Sequence, residues 1–452
     1  MKRIFIYTTL MISILATSAC QDILEQESEV FITNDDAIID LESAKAALNG
    51  MYDALQDGDL YGSNHVFAGE LASGNAVWSG FNVQYQELAE AQVSISNFHV
   101  EDNWVDFYFV INIASIIIER VGSLEDIPAE DANRIIGSAH FFRGLCHFDL
   151  LRQYGEFFDE NSEFGVPLVT GVQSGIVAIP RSDVASTYTA IETDLNEAIR
   201  LLSNSSDSFY ASKKAAEALL ARVYLYKGDY QEAINLATEV IDNGGYSLVE
   251  DYNSIYLSED TNEPIFQLNF TTQDGSNFTS LMLAPNPEVS TNPNLLTQFE
   301  GGDTERSTLF VEDANADGQI NCLKYGDNQN EPSGNAILIR LAEMYLIRAE
   351  AHAMQSQDPV DGLDDINMIR SRVGLPDIQA AQVPDMESFV DILVRELRSE
   401  FAFEGHYWFD LVRLGRIEEV RNIDSFRRIF PIPLREITAT EGVLVQNPGY
   451  NN

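Results

Sequence analysis

The chain has 452 residues and a formal net charge of −44, with 71 acidic against 27 basic side chains. A surface this negative repels phosphate backbones and anionic lipid head groups, which argues against nucleic-acid binding and disfavours polyanionic ligands. Three cysteines are too few for a disulfide framework or a four-cysteine zinc site, so the hydrophobic core must stabilise the fold alone.

The first nineteen residues have the three-part layout of a secretory signal. Lys2 and Arg3 precede a short apolar run, and small residues follow immediately before Cys20. The run is too short for a hydrocarbon core of ~30 Å, so it indicates a removable signal peptide and not a membrane span. We expect cleavage after residue 19 and acyl chains on Cys20. The alternative is an ordinary secreted protein with a chance cysteine at this place.

Residues 20–36 are polar and acidic, and we interpret them as a tether. From residue 37 onward apolar residues recur at three- and four-residue spacing, which predicts amphipathic helices. The chain is long enough for one large domain or two ordinary ones. We expect a single domain over 37–452, with a helical scaffold at about 37–244 and 336–430.

The predicted helices follow one another along the scaffold. They cover 37–55, 104–121, 132–154 and 187–202, and residues 165–168 are predicted to be extended. The clearest repeat unit is 212–243, where Ser212 caps one helix, Gly228 makes the turn and a second helix returns. This pattern is typical of a tetratricopeptide helical pair. Further pairs are predicted at 336–356 with 361–373, and at 386–404 with 408–420.

The stretch from about 245 to 335 is different, because it is rich in Asn, Gly, Ser, Thr and Pro. Short strand-like runs such as 265–270 interrupt it. A stretch of this length without helices is usually functional or disordered in a compact protein. The predicted fold is therefore mainly α, a tetratricopeptide-like helical-pair scaffold with an inserted, irregular, loop-rich lobe that contains short strands.

Motifs for catalysis are absent from the sequence: there is no phosphate-binding loop, no zinc-protease motif and no nucleophile elbow. Glu400, Glu404 and Asp410 could imitate a glycosidase carboxylate pair, which lies ~5–9 Å apart across a substrate cleft. They are spaced for ion pairs with neighbouring arginines. The arginines of this segment are Arg395, Arg398 and Arg413. We expect structural ion pairs here and no enzymatic activity.

One segment has the pattern that begins a calcium-binding loop, with oxygen donors at alternate positions and a glycine for the turn. The candidate ligands are Asp313, Asn315, Asp317, Gln319 and Asn321. Position 12 is Lys324, where a bidentate glutamate is expected, so an Asx-rich turn without metal is the alternative. The sequence requires no cofactor, and Ca²⁺ is the one ion that it suggests.

Four motifs follow one another in the C-terminal half. Residues 339–351 contain a helix pattern R-x-x-E-x-Y-L-x-x-A-E-A, and residues 366–376 read I-N-x-I-R-x-R-x-G-L-P. Residues 396–413 contain an E-G-x-x-x-x-D-L-x-R pattern, and P-I-P at 431–433 precedes Q-N-P-G-Y at 446–450. Together they resemble the SusD/RagB family of outer-membrane nutrient-uptake lipoproteins. One departure is His406, which stands where the family often has arginine.

The resemblance implies a lipoprotein of the outer membrane, anchored through its acyl chains alone and facing the medium. It also implies binding of oligosaccharide or polysaccharide, delivered to a SusC-type TonB-dependent transporter. The strongly acidic composition favours a neutral glycan. In this picture the motif arginines and glutamates tie helices together and do not contact sugar.

The ligand contacts are predicted from the chemistry of sugars, whose C–H faces stack on exposed aromatic rings while amides take the hydroxyls. Trp104 and Trp408 lie in helical patterns and are predicted to be core. Trp78 lies in a segment flanked by glycines and amides, and in similar proteins this loop often supplies a stacking tryptophan and an asparagine. The predicted glycan contacts are Trp78, Asn82, Phe81, Tyr85 and Asn75.

Weaker candidates for glycan contact are Asn277 and Phe278 in the irregular lobe.

Other functions stay open at this point. A tetratricopeptide scaffold could bind only a protein partner, and a surface lipoprotein of this kind could bind peptides or glycoproteins. A surface hydrolase would have to turn its ligand over.

Overall fold

The computed structural model describes residues 38–173, 177–258, 261–284, 287–312, 318–326 and 334–451. The predicted signal peptide, Cys20 and the tether lie outside these residues. The helices, in chain order, are α1 Leu41–Leu55, α2 Asn64–Ser73, α3 Val83–Ala89, α4 Phe98–Gly122, α5 Ala129–Tyr154, α6 Val184–Leu201, α7 Lys213–Lys227, α8 Tyr230–Asn243, α9 Ser254–Leu257, α10 Phe278–Met282, α11 Pro293–Leu296, α12 Thr304–Ser307, α13 Leu341–Ser356, α14 Leu363–Arg372, α15 Met386–Phe401, α16 Tyr407–Arg413, α17 Ile417–Arg421 and α18 Leu434–Ala439. The strands are β1 Ala76–Trp78, β2 Pro264–Leu268, β3 Val289–Thr291, β4 Phe310–Glu312, β5 Ile320–Cys322 and β6 Ala336–Arg340.

The long helices stack in chain order. Each helix from α4 to α7 packs on its successor, and α8 then packs on α13 across the inserted lobe. Helices α14 and α15 continue the stack against α13. This succession of antiparallel neighbours buries one face of each helix against the next, as in helical repeat proteins. The mainly α, helical-pair architecture predicted from periodicity is confirmed.

The pair α7–α8 shows why the sequence folds this way locally. The Ser212 hydroxyl accepts a hydrogen bond from the Ala215 backbone N–H at 3.1 Å and caps the start of α7. Gly228 ends α7 with a φ of +86°, in the left-handed region that glycine adopts at low cost. The predicted cap and turn are therefore both confirmed.

The structure has three small antiparallel ribbons, and two of them connect the inserted lobe to the scaffold. Strand β1, which follows α2, pairs with β3 of the lobe, and β2 pairs with β6. Strands β4 and β5 form a hairpin within the lobe. The short apolar run predicted at 265–270 is thus a strand, and both ends of the lobe are hydrogen-bonded to the helical body.

Some predicted elements are wrong in detail. Residues 165–168 do not form a strand: Gly165 and Val166 share two backbone hydrogen bonds with Ser182, and Pro167, which lacks an N–H, cannot continue the ladder. The predicted helix 408–420 is two short helices, α16 and α17, because Gly415 adopts a φ of +67° between them. Residues 336–340 of the predicted helix 336–356 form β6.

The core is apolar and extends through both the scaffold and the lobe, with a smaller apolar cluster between α13, α14 and α15. Trp104 and Trp408 are 2% and 1% exposed, which confirms that both are core residues. None of the helices in the described part of the chain is long and apolar enough to cross a membrane.

Candidate functional site

The predicted ligand segment is a loop held between the scaffold and the lobe, and we call residues 76–85 the aromatic loop. It begins with β1, whose Ala76 and Trp78 lie opposite Thr291 and Val289 of β3. It ends in the first turn of α3. Both ends are thus fixed by secondary structure, and the residues between them turn around the side chain of Glu288.

Glu288 holds the tip of the aromatic loop. Its Oε2 accepts hydrogen bonds from the backbone N–H groups of Phe81 at 3.0 Å and Asn82 at 3.2 Å. The Ser79 N–H donates to the Glu288 carbonyl at 3.0 Å. A Cβ at position 80 would overlap the Glu288 carboxylate, so a larger residue there would displace this side chain. The carboxylate therefore sets the backbone of the tip and the direction of the next side chain.

Phe81 is the most solvent-exposed large apolar side chain of the loop, with 93% of its surface accessible. The Phe81 ring lies in water, so it contributes no free energy of apolar burial to the stability of the fold. Three hydrogen bonds nevertheless fix the backbone that carries it. The geometry suits a ligand with an apolar face, since the ring is presented and its backbone does not have to be ordered on binding.

Trp78 lies three residues before Phe81 and is half-buried against the core. Its indole Nε1 is buried and has no hydrogen-bond acceptor among the described residues. An unsatisfied buried donor costs about 1–3 kcal/mol. The core residue Trp408 has the same unpartnered Nε1, so this feature does not by itself mark a ligand site.

Asn82 stabilises the end of the aromatic loop where α3 begins. Its side-chain oxygen accepts from the backbone N–H groups of Gln84 and Tyr85 and caps α3, while its Nδ2 lies 2.9 Å from Nε2 of His99. The His99 ring stacks on Tyr85 with centroids 4.3 Å apart. Burial lowers the pKa of His99 to about 4, so this histidine is neutral at physiological pH.

Two predicted glycan contacts are corrected by the structure. Tyr85 is 3% exposed, and its hydroxyl donates to Asn64 at 2.5 Å. Asn75 is completely buried, with its Nδ2 donating to Glu70 at 2.8 Å and its oxygen accepting from Arg398 Nε at 2.7 Å. Both side chains already have their polar partners inside the protein, so they support the loop and do not reach a ligand.

The weaker candidate Phe278 is also buried. Its ring stacks on Tyr325 with centroids 3.5 Å apart and no part of it is exposed. A glycan therefore cannot contact this ring, although Asn277 beside it is at the surface. Of the predicted contacts, the structure brings Trp78, Phe81 and Asn82 together at one exposed loop.

The predicted calcium loop is the connection between β4 and β5. Three of its candidate ligands, Asp313, Asp317 and Asn315, lie outside the described residues. Gln319 directly precedes β5, and Asn321 lies within β5 opposite Val311. Lys324, at position 12, is buried with its Nζ 2.7 Å from Glu404 Oε1. Position 12 is thus part of the core, and calcium binding by the loop stays a prediction.

A different acidic group could hold a cation, and the sequence analysis missed it. Asp57, Asp59 and Asp106 have carboxylate oxygens that all lie within 4.8 Å of one another. Burial, with repulsion from the other two carboxylates, raises the pKa of Asp106 to about 6. These residues come from the α1–α2 connection and from α4, so no short sequence pattern indicates the group. Exposed acidic clusters commonly occur without a metal.

The carboxylates that could have imitated a glycosidase are structural. Glu400 and Glu404 are buried, and both pair with Arg340. Burial alone would raise the pKa of Glu400, but Arg372, Arg340 and Arg306 together hold it well below its usual range. A carboxylate kept ionised in this way is a poor general acid. Asp410 pairs with Arg413 at 2.9 Å.

Sequence comparison identifies relatives over the whole chain. Residues 22–225 match a family described as starch-binding and associating with the outer membrane, and residues 321–423 match the SusD family. The SusD-like protein P38 of Formosa agariphila is 27% identical over 96% of this chain and 97% of its own length. The SusD-like protein P25 of the same organism is 25% identical over 100% of this chain and 99% of its own length.

Structural comparison agrees with these matches. A SusD superfamily protein from Bacteroides thetaiotaomicron superposes with a TM-score of 0.81 at 27% identity, over 91% of this chain and 100% of that one. A laminarin-binding SusD-like protein gives a TM-score of 0.77 at 23% identity, over 90% of this chain and 99% of that one. The four C-terminal motifs, the helical scaffold and both family matches agree, and the chain belongs to the SusD family.

Proposed function

We propose that this protein is a cell-surface receptor that captures a neutral glycan with its aromatic loop and delivers it to a SusC-type TonB-dependent transporter. The observation that carries the proposal is the presentation of Phe81, almost fully exposed on a backbone fixed by Glu288. A pyranose ring offers the flat C–H face that such a ring can stack on.

Trp78 adds a second ring in the same loop. The residue is partly exposed, so part of its ring system can stack on a sugar. Recognition by one or two rings with a few polar groups is the usual composition of a small-molecule site. One structural neighbour is a laminarin-binding protein, which makes a β-glucan a suitable first ligand to test.

The charge of the protein narrows the glycan class. With a formal net charge of −44, uronate or sulfated chains would be repelled unless a cation or a local basic patch intervened. A neutral polysaccharide meets no such barrier.

Attachment and partner are part of the proposal. Acyl chains on Cys20 would tether the body to the outer membrane on its outer face, and the acidic segment that follows would allow it to move. A receptor that stays beside a transporter raises the local ligand concentration at the channel entrance. No chemistry on the glycan is proposed, because the candidate carboxylates are held in buried ion pairs.

Two loop variants test the site. Phe81→Ala and Trp78→Ala should each weaken glycan binding by about tenfold, the loss of roughly one stacked ring. Tyr210→Ala is the matched control, because Tyr210 is an aromatic residue that is 55% exposed far along the chain from the loop. Calorimetry with laminarin and other neutral polysaccharides measures the effect. Wild-type affinity in both loop variants would reject the aromatic loop as the site.

A further inference from the structure

A groove of about 480 Å³ lies along one side of α4. We call it the α4 groove. Its walls come from α4, from residues 167–173 and 177–179 between α5 and α6, and from α18 with the residues that follow it. The volume falls within the range of about 300–1,000 Å³ that is usual for ligand sites. None of the sequence motifs falls on it.

The α4 groove has an aromatic wall. Phe109 is 56% exposed and lies on the side of α4 opposite the positions that pack into the core. Tyr108 beside it is held in place because its hydroxyl donates to the Pro167 carbonyl at 2.9 Å. The groove thus has one ring fixed in its wall and one ring open to an incoming ligand.

Two amides lie next to these rings. The Gln173 backbone N–H donates to Asn112 Oδ1 at 2.9 Å, and Gln173 Nε2 donates to the Gly171 carbonyl at 3.1 Å. Within the described chain no protein group accepts from Asn112 Nδ2 or donates to the Gln173 side-chain oxygen. The two amides are fixed on one side, with a donor and an acceptor unused on the other. Sugar hydroxyls, which both donate and accept, complement this pair.

The charges at the groove fit a neutral ligand. Arg435 is paired with Glu101 at 3.2 Å, and Glu436 is half-buried in the wall. Burial raises the pKa of Glu436. An anionic ligand would meet two carboxylates and one guanidinium that is already paired, whereas a neutral polar ligand meets no repulsion.

The α4 groove continues toward the aromatic loop. A second hollow shares Arg435 and Ala439 with it and extends to Ser96 and Glu101, at the start of α4. In the same connection, Asn97 donates from Nδ2 to the Gln84 carbonyl at 3.1 Å, in the helix that Asn82 caps. The depression therefore leads along α4 to the base of the aromatic loop. Phe98 and Phe109 are separated along the helix by roughly 16 Å.

We infer that the α4 groove is a second subsite for the same neutral glycan, occupied by polysaccharide chains long enough to extend beyond the aromatic loop. The inference rests on the proposed function. Two subsites on one chain act together, because binding at the first raises the effective concentration of the glycan at the second. Long chains should gain affinity from the groove, and short oligosaccharides should not.

The test compares chain lengths in two groove variants of the full-length mature protein. The probes are laminarin, starch, mannan and xylan, each with a tetrasaccharide of the same linkage. We expect Phe109→Ala and Asn112→Ala to weaken binding of the preferred polysaccharide by about tenfold or more and to leave the tetrasaccharide affinity unchanged. Tyr210→Ala, the exposed aromatic control, should change neither. Hydrogen exchange should slow at residues 104–112 and 434–444 with polysaccharide only.

The outcomes separate the inference from the proposed function. If Phe81→Ala weakens both ligand lengths while Phe109→Ala behaves like Tyr210→Ala, the proposed function stands and the groove is not a subsite. Absence of slowed exchange at residues 104–112 would contradict the inference in the same way. If the wild-type protein binds none of the four polysaccharides, the proposed function fails and the inference fails with it.

Discussion

Four buried histidines make the stability of the protein depend on pH. Burial is the main cause that lowers the pKa of His65, His99 and His147, each to about 4, and it lowers the pKa of His406 well below its usual value. All four are neutral in the folded protein at physiological pH. His99 is the one of direct functional interest, because its ring packs under the aromatic loop through Tyr85 and Asn82.

We predict that the protein loses stability between pH 6.5 and pH 4. The unfolded state, with histidine pKa near 6.5, binds protons in this window that the folded state does not, so the free energy of unfolding falls as the pH falls. Each of these histidines should lower the free energy of unfolding by about 1 kcal/mol when the pH falls from 7.5 to 5.5. Asp106, whose pKa is raised to about 6, acts in the opposite direction but is partly solvent-exposed.

Urea unfolding at pH 7.5 and pH 5.5 measures this prediction. His147→Asn should reduce the difference between the two pH values by about one histidine's contribution, since Asn does not titrate. An unfolding free energy that is equal at both pH values in the wild-type protein would contradict the assignment of four neutral buried histidines.

At the residue scale, composition predicted the site only in part. Glycines and amides around Trp78 indicated a loop, and the structure places Phe81 at its tip. The same composition also suggested Asn75 and Tyr85, which are buried. Their burial depends on partners far away in the chain, such as Arg398 for Asn75, and on the pairing of β1 with β3. Local sequence contains no information on such long-range contacts.

The position of Glu288 could not be predicted for the same reason. It lies 207 residues after Phe81, at a position that no motif marks. The α4 groove is equally invisible in the sequence. Phe109 lies on the exposed face of α4, and the other walls of the groove come from distant parts of the chain.

At the scale of elements, the family motifs join helices that are distant in sequence. Arg340, at the end of β6, is 1% exposed and pairs with Glu263 at 3.0 Å, with Glu404 at 2.8 Å and with Glu400. It thereby connects β2, β6 and the end of α15. The predicted role of the motif charges as structural ion pairs is supported by this geometry.

We predict that Arg340→Met destabilises the protein by about 3–5 kcal/mol, because it leaves buried carboxylates without their cation. Arg200→Met is the matched control, since Arg200 forms an ion pair with Glu197 on the surface, 64% exposed. Loss of this surface ion pair should lower the free energy of unfolding by less than about 1 kcal/mol. Urea unfolding of both variants at neutral pH gives the comparison. Equal losses would show that the buried network contributes no more than a surface pair.

The partners of some motif charges differ from those expected from spacing. Arg398 donates to Asn75 and Arg395 pairs with Glu300, so neither binds the glutamates of its own helix. Helix spacing predicts neighbours on one helix face but not the helices or loops packed against that face. The predicted helices agree with the structure where the apolar repeat extends over many residues. The predicted elements agree less well near Gly415 and Pro167, where a single residue ends an element.

At the scale of the whole molecule, the helical stack provides a rigid support and the lobe provides the pieces that complete the ligand surface. Strand β3 and Glu288 come from the lobe, whereas the aromatic loop and α4 belong to the scaffold. The formal net charge of −44 favours neutral ligands over anionic ones. The central claim is that this surface binds a neutral glycan without changing it.

The most direct test is calorimetry of the soluble mature protein with laminarin, starch, mannan and xylan, followed by analysis of the recovered glycan for chain length. We predict saturable binding of at least one of these polysaccharides with micromolar or better affinity, about −8 kcal/mol or stronger, and recovery of the glycan at its original length. Absence of binding to all four, or shortening of the bound glycan, would contradict the account.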